Sequence, residues 1–190
     1  MRDAQVRQAF HRSVLRAANE CNDTVVIDEL GLKNGIVRAD IVVLNGKMIG
    51  YEIKTDRDTL KRLPAQVMAY SEVFDKAFII TTHKYLEPIK KIIPSWWGIY
   101  EILDAGDSYS FKCRRDGKRN EGQNAFTIAQ LLWKAEALDL AAALLQTNLK
   151  PSFTKKKIYQ AICESCTQKQ LSKKVLRYLK KRDNWRSDRA

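Results

Sequence analysis

Two carboxylates and a lysine stand where a sheet should be apolar. Asp40 lies in the run R-A-D-I-V-V-L, and Glu52 and Lys54 flank Ile53 in G-Y-E-I-K. A charge in a sheet centre is costly unless it is paired or binds a metal. Neighbouring carboxylate oxygens suit a hard divalent cation, and a lysine beside them suits chemistry on a phosphate, so these residues point to phosphodiester cleavage.

The chemistry requires that the segments bring the acids together. Asn45-Gly46 marks a hairpin between them. A two-residue loop would pair Leu44 with Lys47 and set Asp40 against Tyr51, leaving Glu52 on the opposite face. A three-residue loop, Asn45-Gly46-Lys47, pairs Leu44 with Met48 and therefore Asp40 with Glu52. Opposed residues hold their Cβ atoms about 4.5–5.5 Å apart, near enough to share one ion. The second register also gathers Ile41, Val43, Ile49, Tyr51 and Ile53 on one face, which a one-residue slip would scatter, and it is the one expected.

The elements around this hairpin follow from periodicity. Residues 3–20 read as a helix with Val6, Phe10, Val14 and Leu15 on its apolar side and Arg2, Arg7, Arg12 and Arg16 mostly on the other. His11 borders the apolar side, where packing or a surface position is the commoner role and a metal ligand the rarer one. A first strand is expected over 24–32, with a turn at Lys33-Asn34-Gly35; mirror counting sets Glu29 near Arg38 and Asp40, as a further acid of the site or as a salt-bridge partner of Arg38. Thr55-Asp56 can cap a helical turn, and Pro64 opens a helix to about Phe74 that carries Gln66 and Tyr70 on one face. Ala77–Thr82 is a continuous apolar run, expected as a central strand parallel to its neighbour. A short helix over 85–93, a strand over 98–103 and an edge strand over 109–114 complete the sheet region. Of Trp96 and Trp97, one is expected in the core and one half exposed. A long helix from Asn124 or Thr127 to Leu149 and two more, over 155–163 and 168–182, follow. The expected division is a core over 1–123 and a helical extension over 124–190.

At 190 residues and 45% hydrophobic, the chain has the size of one domain, or one with an appendage. No apolar run approaches the roughly 18 residues of a membrane span, and the N-terminus begins an amphipathic helix rather than a signal peptide, so a cytoplasmic protein is expected. Cys21, Cys113, Cys163 and Cys166 are few and scattered and read as reduced thiols. The formal charge of +12 is concentrated at the end: residues 150–190 hold thirteen Lys/Arg against three acids. Lys155, Lys156, Lys173, Lys174 and Arg177 belong to that excess. A polyanion such as nucleic acid is the partner such a surface favours; a solvated helical face is the plainer alternative.

Asp40 followed by Glu52-Ile53-Lys54, on adjacent strands after a helix, resembles the PD-(D/E)XK nuclease superfamily, and Gln66-Val67-Met68-Ala69-Tyr70 resembles the Q-x-x-x-Y helix of its RecB-type branch. The wider pattern, M-R-D through D-E-L-G-L, R-A-D-I-V-V-L-N-G, G-Y-E-I-K, D-T-L-K-R-L-P and P-S-W-W-G, is similar to small bacterial and phage proteins of that superfamily and covers at least residues 1–100. The resemblance implies an α/β, restriction-endonuclease-like fold, with a four-stranded mixed sheet flanked by helices, and Mg²⁺- or Mn²⁺-dependent hydrolysis of nucleic acid, DNA first. It makes Asp40, Glu52 and the Ile53 carbonyl metal ligands, with Glu29 in place of an additional acid. Lys54 would orient or deprotonate the attacking water, Gln66 would position the lysine or the phosphate, and Tyr70 would support Gln66. Arg38, Arg57, Lys61, Arg62 and Tyr70 could contact the nucleic acid. Two alternatives stand beside it: a nucleic-acid-binding module on the same fold without catalysis, and an interaction protein whose acids only pair with Arg38 and Lys54.

Overall fold

The fold is seen in a computed structural model that describes residues 3–106 and 108–182. Arg2 of the first expected helix, and Asp183, Arg186, Asp188 and Arg189 of the basic tail, lie outside the described residues.

The class is α/β, a mixed sheet flanked by helices. Six strands, two more than the resemblance implies, stand in chain order: β1 (Val25–Leu32), β2 (Val37–Leu44), β3 (Met48–Lys54), β4 (Lys76–Thr81), β5 (Gly98–Asp104) and β6 (Tyr109–Arg115). β3, β4 and β5 run parallel, and the outer pairs are antiparallel. β4 is buried from Ala77 to Thr81, as a strand covered on both faces must be.

The β2–β3 hairpin turns through three residues. Leu44 pairs with Met48 and Ile41 with Tyr51, the register that carries Asp40 toward Glu52; the backbone ladder stops at Ile41, and beyond it the Asp40 side chain takes the Ile53 amide. Gly46 takes the left-handed conformation at φ 61° that closes the loop.

One face of the sheet packs on α1 (Asp3–Arg12). Val6 and Phe10 are fully buried there, and the Phe10 ring meets Tyr51, Tyr100 and Phe111 at 5.3, 5.5 and 4.9 Å. Burial of such a side chain contributes about 1.5–3 kcal/mol, enough to seat a short helix. The expected helix over 3–20 is broken after Arg12, and α2 (Arg16–Glu20) restarts it. Ser13 turns its hydroxyl back to the Ala9 carbonyl at 2.7 Å, and the Leu15 amide reaches the Phe10 carbonyl, so Leu15 is buried by leaving the helical path.

The other face carries α3 (Leu63–Val73), with Pro64 in its first turn. Gly50 makes room for it, since a Cβ there would meet the Phe74 ring at 2.5 Å. Thr55-Asp56 does not cap a helix: the Thr55 amide and hydroxyl both donate to Asp58, which closes a turn before Leu60. Between β4 and β5 lies α4 (Leu86–Lys90), and then Trp97, fully buried, beside half-exposed Trp96.

The long helix expected to Leu149 is two helices, α5 (Ala125–Ala129) and α6 (Lys134–Leu145). Asn124 caps the first by accepting the Thr127 amide at 3.0 Å, and Glu136 accepts the Trp133 amide at 2.7 Å to start the second. α6 ends at Gln146 in left-handed geometry, before Pro151 is reached. With α7 (Lys155–Ser165) and α8 (Gln168–Lys180), these helices bury Ile128, Leu132, Ile158, Ile162, Leu171 and Leu179 in the same apolar cluster as Val42, Leu44 and Ile79 of the sheet.

Candidate active site

The site forms where the sheet changes sides. In β2, Val42 and Leu44 face the α3 layer while Ile41 and Val43 face α1, yet Ala39 also belongs to the α3 layer. Alternation therefore slips at Asp40. Across from it β1 changes face too, with its register unbroken: Asp28 pairs with Ile41 and Leu30 with Ala39, Ile27 and Leu30 both belong to the α3 layer, and Glu29 between them sits at φ 61°. A left-handed non-glycine residue inside a strand costs roughly 1–3 kcal/mol and persists only where its surroundings enforce it. Here the slip leaves Asp40 between the two layers, in reach of residues from both.

The Asp40 carboxylate accepts the Ile53 amide at 2.7 Å. A residue in an extended strand presents N–H and C=O to the same edge, so the Ile53 carbonyl also faces the β2 side. Burial, and then the negative charge of Glu52, push the Asp40 pKa up to about 7, against the opposing pull of Ile53, Lys54 and Arg7.

Glu52 is 1% exposed and fully engaged. Its Oε1 accepts from Lys54 Nζ and Gln66 Nε2, and its Oε2 accepts from the Tyr70 hydroxyl at 2.6 Å. Burial raises the Tyr70 phenol well above its ordinary value, with Glu52 reinforcing it, so the phenol stays a donor. Lys54 is buried as well, at 4%, and a buried ion pair of this kind needs its hydrogen bonds complete. Gln66 Oε1 is the loose end: buried, with no hydrogen-bond partner among the described residues.

Each predicted residue now has a place. Asp40, Glu52, Ile53, Lys54, Gln66 and Tyr70 come together. Tyr70 is fully buried and holds Glu52, which corrects the expectation that it contacts nucleic acid. Glu29 stands beside the group: Arg7 holds one of its oxygens at 3.3 Å and Arg38 the other at 3.1 Å. His11 bonds Asp28 at 2.9 Å and so faces β1 next to Glu29. Arg57, Lys61 and Arg62 are exposed on the segment between β3 and α3, beside the site. Lys155, Lys156, Lys173 and Arg177 are exposed on α7 and α8, with Lys174 half-buried. Those helices are anchored elsewhere: Gln168 bonds Gln123, which bonds the Val73 carbonyl at the far end of α3 from Gln66, and Lys180 bonds Asp23 ahead of β1.

Two participants had been given no role. Arg7 of α1 lies 3.8 Å from Asp40, and Asp3 accepts the Thr55 hydroxyl at 3.1 Å next to Lys54. Their spacing of four, one step from buried Val6 and Phe10, is the signal that could have placed them at the rim of the buried stripe.

Asp40, Glu52 and the Ile53 carbonyl are a hard-oxygen donor set, and the unpartnered Gln66 oxygen adds an acceptor at its border. Among the described residues, no three His, Cys, Asp or Glu side chains converge. Two carboxylates and a carbonyl nonetheless fit Mg²⁺, which keeps several waters and takes substrate oxygens for the rest of its shell.

The family described as bacteriophage P4 protein cII matches residues 6–189. "Protein cII" of Enterobacteria phage P4 is 32% identical over 119 residues, which are 63% of this chain and 45% of that protein, so the chain spans less than half the length of this relative. Among solved structures, a protein of unknown function from Silicibacter pomeroyi superposes with a TM-score of 0.44 at 22% identity, over 63% of this chain and 77% of the other. No described helix is long and apolar enough to cross a membrane.

Proposed function

The chain belongs to the bacteriophage P4 protein cII family, and from the site it builds we propose that it is a divalent-metal-dependent nuclease of PD-(D/E)XK type, acting on nucleic acid, DNA first, in the cytoplasm. The observation that carries this is the meeting of Asp40 and Glu52: Asp40 accepts the Ile53 amide next to Glu52 and feels its charge, and Lys54 and Gln66 both donate to the Glu52 carboxylate.

Asp40, Glu52 and the Ile53 carbonyl would hold Mg²⁺ or Mn²⁺. Bound there, the ion would polarise a phosphate oxygen and lower the pKa of a water. Glu52 is aimed by Lys54, Gln66 and Tyr70, so its orientation needs no rearrangement when an ion arrives. Lys54 supplies the positive charge that offsets charge growing on the phosphate, and it orients the attacking water. Gln66 presents its free oxygen to that water or to the lysine. Arg57, Lys61 and Arg62 contact the backbone beyond the scissile bond, a contribution that salt weakens.

A second reading has its own observation. Glu52 already has three donors and Glu29 two arginines, so the acids are satisfied without any ion. A catalytically silent nucleic-acid-binding module needs no more. Incubating the protein with linear, circular, single-stranded and branched DNA in Mg²⁺ or Mn²⁺, beside Asp40→Asn, separates the two. Metal-dependent cleavage lost in Asp40→Asn supports the nuclease, and DNA binding without cleavage supports the module.

A further inference from the structure

Arg7 reaches from α1 to acids on two strands, Glu29 Oε1 at 3.3 Å and Asp40 Oδ1 at 3.8 Å. Arg38 holds the other Glu29 oxygen at 3.1 Å, so Glu29 is fixed independently of Arg7. The Arg7 side chain is largely buried, and its Nε is buried without a hydrogen-bond partner among the described residues. Five donors facing one close and one loose contact leave this guanidinium with binding capacity in hand. Arg7 also borders an open groove along α1 that Gln8, His11 and Arg12 line.

We propose that Arg7 is a cation with two positions: it offsets the Asp40 charge while no metal is bound, and it turns to a non-bridging phosphate oxygen of the nucleic-acid backbone when Asp40 ligates a divalent ion. The proposal rests on the nuclease reading above. A divalent ion on Asp40 repels a guanidinium 3.8 Å away and takes over its function. An incoming phosphate brings the negative charge that Arg7 then lacks, and its oxygens fit the planar fork. Glu29, tethered by Arg38, supplies the pivot. Arg7 would thus couple loading of the metal to binding of the substrate without touching the metal.

The test compares wild type, Arg7→Gln and Arg7→Lys in two titrations, with thermal unfolding as the fold check. Mn²⁺ alone is followed by calorimetry; a fluorescein-labelled DNA duplex is followed by anisotropy with Ca²⁺ in place of Mg²⁺. Arg7→Gln should bind Mn²⁺ about three- to tenfold more tightly, since it lacks a partly screened repulsive charge. The same variant should bind the duplex about tenfold more weakly, since it lacks one charge-assisted hydrogen bond. Arg7→Lys, which keeps the charge and loses the fork, should match wild type for Mn²⁺ and fall between the two for duplex. Equal or same-direction changes in the two affinities overturn the proposal while leaving the nuclease reading standing. Wild-type protein that binds neither Mn²⁺ nor duplex overturns both. If Arg7→Gln fails to fold, Arg7→Lys with wild-type duplex affinity overturns the proposal by itself.

Discussion

The Asp40 carboxylate is tied to the next strand by the Ile53 amide, at 2.7 Å, one residue past Glu52. That bond holds two acids together in a partly buried place, and the consequence is an Asp40 pKa pushed up to about 7 by burial and by Glu52.

A pH dependence follows. The folded value lies above the ordinary 3.8, so the stabilisation from a neutral Asp40 is complete below about 3.8 and is lost as pH rises through about 7. Metal-free protein should therefore melt lower at pH 8 than at pH 6, and Asp40→Asn should remove part of that fall. Mn²⁺ should raise the melting temperature of wild type at pH 8 far more than at pH 5.5, and leave Asp40→Asn unmoved. Thermal melts across pH, with and without Mn²⁺, check all three.

Lys54→Met should separate charge from packing. It removes the cation from buried Glu52, which costs about 3–5 kcal/mol when one partner of a buried pair is lost. The variant should fold at reduced stability, regain part of it with Mn²⁺, and cleave nothing. Urea unfolding and a cleavage assay give both numbers; full activity would remove Lys54 from the mechanism.

Tyr70→Phe keeps the ring against Phe74 and Trp97 and deletes only the hydroxyl that Glu52 accepts. A buried acceptor left short of a donor costs about 1–3 kcal/mol. Urea unfolding should show that loss, and Mn²⁺ affinity should weaken as Glu52 loses its aim.

Much of the site was legible because strand period is two and loop length decides register. Leu44 opposite Met48 carries Asp40 toward Glu52, and the apolar set at Ile41, Val43, Tyr51 and Ile53 excludes the alternative. What was hidden depends on tertiary packing. The slip at Glu29 and Asp40 leaves no mark in hydrophobic alternation until the layers are known. Arg7 reads as a surface arginine until α1 docks by Val6 and Phe10. The breaks at Ser13 and at Gln130–Trp133 come from side chains bonding backbone, Ser13 to Ala9 and Glu136 to Trp133, which apolar periodicity does not register. The α/β class and the parallel central strand were readable from Ala77–Thr82, whereas six strands rather than four were not implied by the resemblance.

The basic helices should act on affinity rather than on chemistry. Charge reversal of Lys155, Lys156, Lys173 and Arg177, all exposed, should leave the fold intact. It should also flatten the slope of log affinity against log salt, by about 0.9 for each duplex phosphate that is no longer neutralised. Anisotropy titrations over a range of KCl measure it; an unchanged slope would show those side chains to be only a solvated face.

Crystals soaked in Mn²⁺ and measured for anomalous scattering test the central claim most directly. A peak within ligand distance of the Asp40 and Glu52 carboxylates and the Ile53 carbonyl is the predicted result. No peak there, with Glu52 still closed by Lys54, Gln66 and Tyr70, would contradict a metal centre and the nuclease with it.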